Sequence, residues 1–313
     1  MSKSIAIIGS MNVDLVSRVP RFLLPGETLQ GLDFHIYPGG KGGNQAVAAA
    51  RLTSGVVMLG KLGDDANSQL YRQVFRDNGI ISDCVETHAG INTGTAVIEV
   101  DTSTGDNRIV YIPGANSFVD RAQVDRHWER LTRCDIFLLQ LEIPMDTVRY
   151  AIDRLRRAGK TVILDPAPAV ALPEGLLGQC DVVTPNEVEL ALLTGLPCDT
   201  REQMVLAGQE LLKTGVKHVV LKAGAQGAWL INRDGARRFP GYPVKAVDTT
   251  AAGDSFNAGL TAALASGLAL EKALPYANAV GALSTLGAGA QGAMPHKDEV
   301  EAFIKNFQGG QPQ

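Results

Sequence analysis

The chain has 313 residues, 45% of them hydrophobic and 20% charged, with a formal net charge of −4, which is ordinary globular usage with ample material for a core. No basic field or Lys/Arg run attracts a phosphate backbone, and aromatics at 5% give no base-stacking platform, so nucleic acid is not expected as a partner. No apolar stretch approaches the roughly 20 residues of a membrane helix, so no membrane partner is expected. The opening run Ser4-Ile-Ala-Ile-Ile-Gly9 is too short for a signal-peptide core, and the expectation is a soluble, cytoplasmic protein.

Along the chain, short β-rich runs alternate with helical stretches, the pattern of a mostly parallel sheet covered by helices on both faces. Two early regions break that rhythm. Val13 to Val19 with Leu32 to Tyr37, and Thr95 to Asp101 with Asn107 to Ile112, read as strand pairs with no helix between their members. The second pair is joined by the hairpin-type turn Thr102-Ser-Thr-Gly-Asp106. Residues of about 12–38 and 93–115 should therefore form a small β lid beside the ligand edge. One such sheet leaves an apolar face that a second subunit could cover.

Between the first two lid segments and an Ala-rich helix lies Pro38-Gly-Gly-Lys-Gly-Gly-Asn-Gln45. It lacks the GxxxxGK[ST] spacing, and no Ser or Thr follows Lys41 to hold magnesium, so it is not a Walker A loop. Four glycines with Asn44 suggest backbone packed against a small polar ligand whose hydroxyls the amide reads; a tight helix entry without ligand is the alternative.

The clearest βαβ unit runs from Cys134 to Thr184: a strand over Ile136 to Leu141, a helix with Asp146 as its cap and Gly159 at its end, then strands at Thr161 to Leu164 and Asp181 to Thr184. The loops after these strands lie on one edge of the sheet, where ligands bind in open α/β folds. Asp14 and Glu142 fall on that edge, as site groups or as solvated strand-end charges. Thr184-Pro-Asn-Glu-Val-Glu189 places Asn186 and Glu189 three apart at a strand-to-helix junction, as oxygen ligands for magnesium through water or as a capping box.

Helix is expected over Glu202 to Thr214 and strand over His218 to Lys222 and Ala228 to Asn232, around the glycine turn Lys222-Ala-Gly-Ala-Gln-Gly227. The last third is helical, at Asp254 to Ser266, Glu271 to Leu286 and Lys297 to Phe307, and a disordered tail is expected at Gly309 to Gln313. Val247-Asp-Thr-Thr-Ala-Ala-Gly-Asp-Ser-Phe256 should follow a strand and open a long helix. The small residues Ala251, Ala252 and Gly253 let amides approach a phosphate, with the helix dipole behind them. Asp254 is then either the base for a hydroxyl attacking a phosphoryl group or only a helix N-cap. Gly287-Ala-Gly-Ala-Gln-Gly292 fits GxGxxG but follows a helix instead of a strand, which rules out a dinucleotide fingerprint and leaves a loop with carbonyls available to a nucleotide or cation. Cys84, Cys134, Cys180 and Cys198, with no CxxC and no His at ligand spacing, read as reduced thiols without catalytic part.

Asn12-Val-Asp14, GGKGGNQ, TPNEVE, KAGAQG and DTTAAGDSF stand in the order and approximate spacing of the ribokinase-type carbohydrate kinases, the phosphofructokinase B family, which the chain resembles over nearly its whole length. The resemblance implies a ribokinase-like α/β domain over 1–313 with a β lid, a homodimer through that lid, and transfer of a phosphoryl group from ATP to the primary hydroxyl of a small sugar. D-ribose comes first and 2-deoxyribose second; a silent sugar-binding regulator is the reading from another class. It also implies Asp254 as base; an anion hole from the amides of Ala251, Ala252 and Gly253; and sugar contacts from Asn12, Asp14, Gly40, Lys41, Asn44 and Glu142. Nucleotide contacts follow from Asn186, Lys222, Ala223, Gly224, Ala225, Gln226, Gly227, Gly253 and Asn278, and Glu189 stands near magnesium. Potassium would be held at Asp248, Thr250, Ser284, Gly287, Gly289 and Ala293. The chain departs from the family pattern at Ala293, where some members have Ser, at Gly43, often Ala, and at Asn278, often His.

Overall fold

The computed structural model describes residues 3–309. The chain opens with strand β1 (Ile5–Ile8) and two strands of a small sheet, β2 (Asn12–Val19) and β3 (Asp33–Gly39), before helix α1 (Lys41–Leu52). Strand β4 (Val57–Gly63), helix α2 (Ala66–Asp77) and strand β5 (Ile81–His88) follow, then β6 (Gly94–Asp101) and β7 (Asn107–Ile112), which complete the small sheet. Short helices α3 (Arg121–Arg126) and α4 (Trp128–Thr132) lead to β8 (Ile136–Leu139), α5 (Met145–Arg157), β9 (Thr161–Leu164) and β10 (Val182–Val183). Helices α6 (Glu187–Thr194) and α7 (Arg201–Leu212) precede β11 (His218–Lys222), β12 (Ala228–Asn232) and β13 (Gly235–Phe239). Three helices close the chain: α8 (Ala252–Ala265), α9 (Leu270–Ser284) and α10 (Lys297–Gly309).

The large sheet has the order β13-β12-β11-β10-β9-β8-β1-β4-β5 and is parallel from β11 to β5, with β12 antiparallel to both its neighbours. Alternation along each strand sends residues to opposite faces. Ile5, Ile7, Ile136 and Leu138 join the cluster that packs under α1, α8 and α9. Ala6, Ile8, Phe137 and Leu139 join the one under α5 and α7. After β1 the chain moves to β4 on one side and later returns to β8 on the other, so the sheet's switch point lies beyond the C-terminal ends of β1 and β8. The small sheet, β3-β2-β6-β7, consists of the two expected hairpins, joined by one parallel pairing of β2 with β6.

Several local expectations are corrected. Asp146 does not cap α5: Pro144 is the N-cap, and Asp146 lies in the first turn, paired with Arg121. No strand precedes Asp248, because β13 ends at Phe239 and residues 240–248 form an irregular loop. The sheet strand at Ile136 stops at Leu139, so Gln140 and Glu142 belong to the loop that follows. Gly309 lies in α10, and residues 310–313 of the expected tail fall outside those described. All four cysteines are buried and free, and burial pushes the Cys84 thiol up to about 11 and Cys180 up to about 12, which keeps them unreactive.

Candidate active site

Helices α1 and α8 pack against each other, and both carry small buried residues, Ala46, Ala48 and Ala49 in one and Ala258, Ala262 and Ala263 in the other, all in one cluster. Side chains at the N-terminal end of α1 thereby reach the first turn of α8. Asn44 Nδ2 donates to Asp254 Oδ2 at 3.0 Å, and Gln45 Nε2 donates to Asp254 Oδ1 at 3.0 Å. Asp254 is only 5% exposed. The N-cap of α8 is Ala251, with no side-chain cap bond, so Asp254 is not a cap; its carboxylate is turned away from its own helix amides toward α1. Burial raises its pKa, Lys41 opposes that rise and Asp165 adds to it. On Lys41 burial disfavours the charge, but Asp254, Asp165, Glu142 and Glu189 outweigh it and hold the ammonium above its usual range. A buried base beside a fixed cation, on the edge of a cleft, is suited to take a proton from a hydroxyl.

Ala251 has φ 59°, and among the described residues it is the one non-glycine with positive φ. The left-handed turn costs about 1–2 kcal/mol for a residue with a Cβ. It leaves the first-turn amides of α8 without a side-chain cap, a ready anion site. The Ala252 amide also donates to Thr249 O at 3.2 Å, within the turn itself.

The sugar-side candidates gather at the switch point. Glu142 Oε2 accepts from Ser10 Oγ at 2.6 Å and from the Lys41 amide at 3.0 Å, linking the ends of β1 and β8 to the start of α1. Asn12 Oδ1 accepts from Asn116 Nδ2 at 2.7 Å. Asp14 stands on β2 of the small sheet, its pKa raised to about 6 by burial first and then by Glu142 and Asp254. The glycines of the 38–45 turn stand close against neighbouring protein atoms. A Cβ at Gly40, where φ is 82°, would lie 2.6 Å from the Asn12 nitrogen, and one at Gly43 2.2 Å from the Tyr71 hydroxyl. The Tyr71 hydroxyl thus occupies the space that an alanine at 43 would take. Asn44 is held at both ends of its amide, its Oδ1 accepting from Gln291 Nε2 at 3.1 Å.

On the other side of the α8 N-terminus lies a cavity of about 430 Å³, lined by Lys222, Gly224, Ala225, Gly227, Gly253 and Asn278 among others. Tyr242, Pro243 and Val244 form a further wall that no motif signalled, because loop 240–248 has no regular pattern. Within the 222–227 turn Ala223 is buried and Gln226 exposed, and neither lines the cavity. Asn278 Nδ2 donates to Phe239 O and Pro240 O, both at 3.0 Å, and so holds the start of that wall.

Asn186 and Glu189 form a capping box on α6: Glu189 N donates to Asn186 Oδ1 at 2.8 Å, and Asn186 N to Glu189 Oε2 at 2.7 Å. Glu189 also lies 3.9 Å from Lys222 Nζ, and burial raises its pKa. Among the described residues no group of three or more His, Cys, Asp or Glu could hold a metal ion. The potassium candidates converge partly: Asp248 accepts from the Thr250 amide at 2.9 Å and hydroxyl at 2.6 Å, and from the Gly289 amide at 2.9 Å. Burial opposes its ionisation, but these bonds hold its carboxyl below the usual range. A Cβ at Gly287 would be 3.0 Å from that of Ala293, so the two ends of the loop meet. The Ser284 hydroxyl instead donates to Gly281 O at 2.9 Å, inside α9.

Sequence reasoning missed Ser10, Gln45, Gln140, Asp165 and Gln291. Asp165, 1% exposed, accepts from Lys222 Nζ at 2.7 Å and from Gln45 Nε2 at 2.9 Å. Gln45 ends the GGKGGNQ turn, which was the available signal; the others stand alone in apolar or loop sequence.

A buried carboxylate, a cap-free helix end and a cavity beyond it are the geometry a phosphoryl-transfer site needs, on a ribokinase-like fold. The chain belongs to the pfkB family of carbohydrate kinases, whose model matches residues 2–297. It is 36% identical over 306 residues to the ribokinase of Haemophilus influenzae, covering 98% of this chain and 100% of that one. It is equally 36% identical, over 301 residues, to a deoxyribokinase of Salmonella typhi, covering 96% and 98%. The ribokinase structure from Thermotoga maritima aligns with a TM-score of 0.89 at 39% identity, covering 97% of this chain and 100% of that one. The Arabidopsis thaliana ribokinase complexed with ribose and ATP aligns with 0.91 at 33% identity, covering 97% and 99%.

Proposed function

We propose that this protein transfers the γ-phosphoryl group of ATP to the primary hydroxyl of D-ribose, giving ribose 5-phosphate and ADP. The single observation that carries the mechanism is the uncapped, buried Asp254, oriented by Asn44 and Gln45 at the mouth of the α8 helix end. Asp254 takes the hydroxyl proton, the sugar oxygen bonds to the γ-phosphorus, and the bond from that phosphorus to the β–γ bridging oxygen breaks. The Ala251 and Gly253 amides, with the Ala252 amide less fully, receive charge on the transferred group. Asn12, Asp14, Gly40, Lys41, Asn44 and Glu142 surround the sugar, and the small sheet lies over it as a lid that excludes water. Lys222 to Gly227, Asn186 and Asn278 serve the nucleotide side. The ribokinase complexed with ribose and ATP supports this assignment of partners.

Magnesium fits as an ion carried by the nucleotide's phosphates and water, because of the two carboxylates beside Lys222, Asp165 is taken up by the lysine and Gln45, and one oxygen of Glu189 serves the cap of α6. It would supply charge neutralisation on those phosphates. Potassium fits the loops 248–250 and 287–293, whose donors are oxygens of Asp248, Thr250, Gly287, Gly289 and Ala293, with Ser284 contributing its carbonyl. The chain acts as one kinase domain and as a homodimer through its lid. Ile36, Val97 and Val110, exposed on one face of the small sheet and aligned across its strands through Leu15, support that pairing. Four buried free thiols accord with the cytoplasm.

The equal identity to a deoxyribokinase makes 2-deoxyribose the second reading. ADP release with ATP and magnesium across ribose, 2-deoxyribose, fructose and adenosine, with and without potassium, is expected to be fastest with ribose; silence on every sugar would sink the kinase reading. Asp254→Asn should bind ribose yet lose turnover at least about 100-fold. Turnover near that of the unmodified protein would remove Asp254 as the base.

A further inference from the structure

Between the two halves of the site runs a buried chain of side chains. Lys222 Nζ, at the end of β11 and on the wall of the nucleotide cavity, donates to Asp165 Oδ1 at 2.7 Å. Asp165 Oδ2 accepts from Gln45 Nε2 at 2.9 Å, and the same nitrogen donates to Asp254 Oδ1 at 3.0 Å. An amide nitrogen carries two hydrogens, and here each goes to a different carboxylate. Both carboxylates only accept when ionised, so the nitrogen of Gln45 must face them, and its Oε1 takes the opposite hydrogen bond from Gln140 Nε2. Gln140 has room there because residue 9 is glycine: a Cβ would fall 1.9 Å from Gln140 Oε1. Lys222 also lies against the anion turn, 3.7 Å from where a Cβ of Gly253 would be.

We propose that Gln45 and Asp165 are positioning residues that couple Lys222, on the phosphate side, to Asp254, on the sugar side. Gln45 keeps two adjacent buried carboxylates in register by standing between them. Lys222 neutralises the outer one while remaining within reach of the anion turn. The charge that Asp254 feels is thereby tied to where the lysine sits. Breaking one member of a buried ion pair leaves an uncompensated charge, and here that charge would face the base. Asp254 is also faced by Lys41 from α1 and, across the cleft, by Asp14 from β2; Glu142 and Glu189 act on it through Lys41. These groups are unchanged in the variants below. The inference rests on Asp254 being the base.

The test is the pH profile of kcat with ATP, magnesium and ribose, read beside both KM values and the melting temperature. Gln45→Met keeps the length of the side chain and removes both donors. It should lower kcat at least about 10-fold with both KM values within about threefold of wild type, a transition-state loss without a binding loss. Its acid limb should move to higher pH, because Asp165 then faces Asp254 with no donor between them. Adding Asp165→Asn to Gln45→Met should return the limb to its original position or below. If Gln45→Met does not fold, the two ends decide the matter: Asp165→Asn should move the limb down and Lys222→Met should move it up. A Gln45→Met enzyme that merely melts earlier, with kcat and acid limb as in wild type, overturns the proposal, as do single variants at 165 and 222 that leave the limb in place. Turnover surviving in Asp254→Asn would instead overturn the base assignment, so the two failures are told apart.

Discussion

Helices α6 and α8 both begin with a carboxylate at their third helical position, Glu189 in one and Asp254 in the other, and the two ends do opposite things. In α6 the residue before the helix is Asn186, whose side chain accepts from the Glu189 amide while Glu189 answers the Asn186 amide. In α8 that residue is Ala251, which has no acceptor to offer, and it sits at φ 59°. The first end is closed on itself. The second has no side-chain cap and gives its carboxylate to Asn44 and Gln45, as the proposed anion site requires. An acid in the first turn therefore caps its own helix or turns to another element according to its neighbour at the cap position and to what packs across from it.

Giving α8 the kind of residue that α6 has should break that contrast most severely. Ala251→Asp tolerates the left-handed turn, but its carboxylate covers the amides and repels the phosphate, so kcat/KM for ATP should fall at least about 100-fold with the fold retained. Steady-state kinetics beside circular dichroism checks this, and a normal kcat/KM would place the phosphate elsewhere.

A second test uses Asp14. Its pKa is raised from 3.8 to about 6, so in that window the native protein holds a proton that the unfolded chain has lost. Stability from this group is fully present below pH 3.8 and declines as pH rises through 6. Asp14→Asn should therefore be more stable than wild type at pH 8, by at most about 3 kcal/mol and less to the extent that water screens the group. The gap should close as pH falls toward 4, while the ribose KM rises at every pH. Melting curves at several pH values measure it, and a gap independent of pH would show that Asp14 is ionised without penalty.

The smallest effect belongs to α6. Asn186→Ala opens its cap and should cost about 1 kcal/mol of stability, with the ATP KM raised by no more than about threefold, since the residue serves the nucleotide side through the cap it makes. A large rise in that KM without loss of melting temperature would make Asn186 a nucleotide contact first and a cap second.

Much of this was legible in the chain. Short continuous apolar runs at β8, β9 and β11 and helical spacing along α5 set the α/β class, and the missing crossover helix between 19 and 32 and between 101 and 107 separated the small sheet. These are local patterns, determined by backbone period and by which residues avoid water. Family order singled out the turn at 248–254, where local sequence left base and cap equally open.

The direction and company of the side chains came from packing. Asp254 turns to α1, which packs against α8, a relation across 210 positions of sequence. Asp165 and Lys222 meet over 57 positions, and nothing near either residue announces the other. Gln45 joins them to the base because its one nitrogen has two hydrogens and two buried carboxylates to satisfy. The layers were legible in the chain alone, since they follow from local period and burial. The charge network was decided by packing, since hydrogen bonds between buried groups depend on distances that only the folded chain sets.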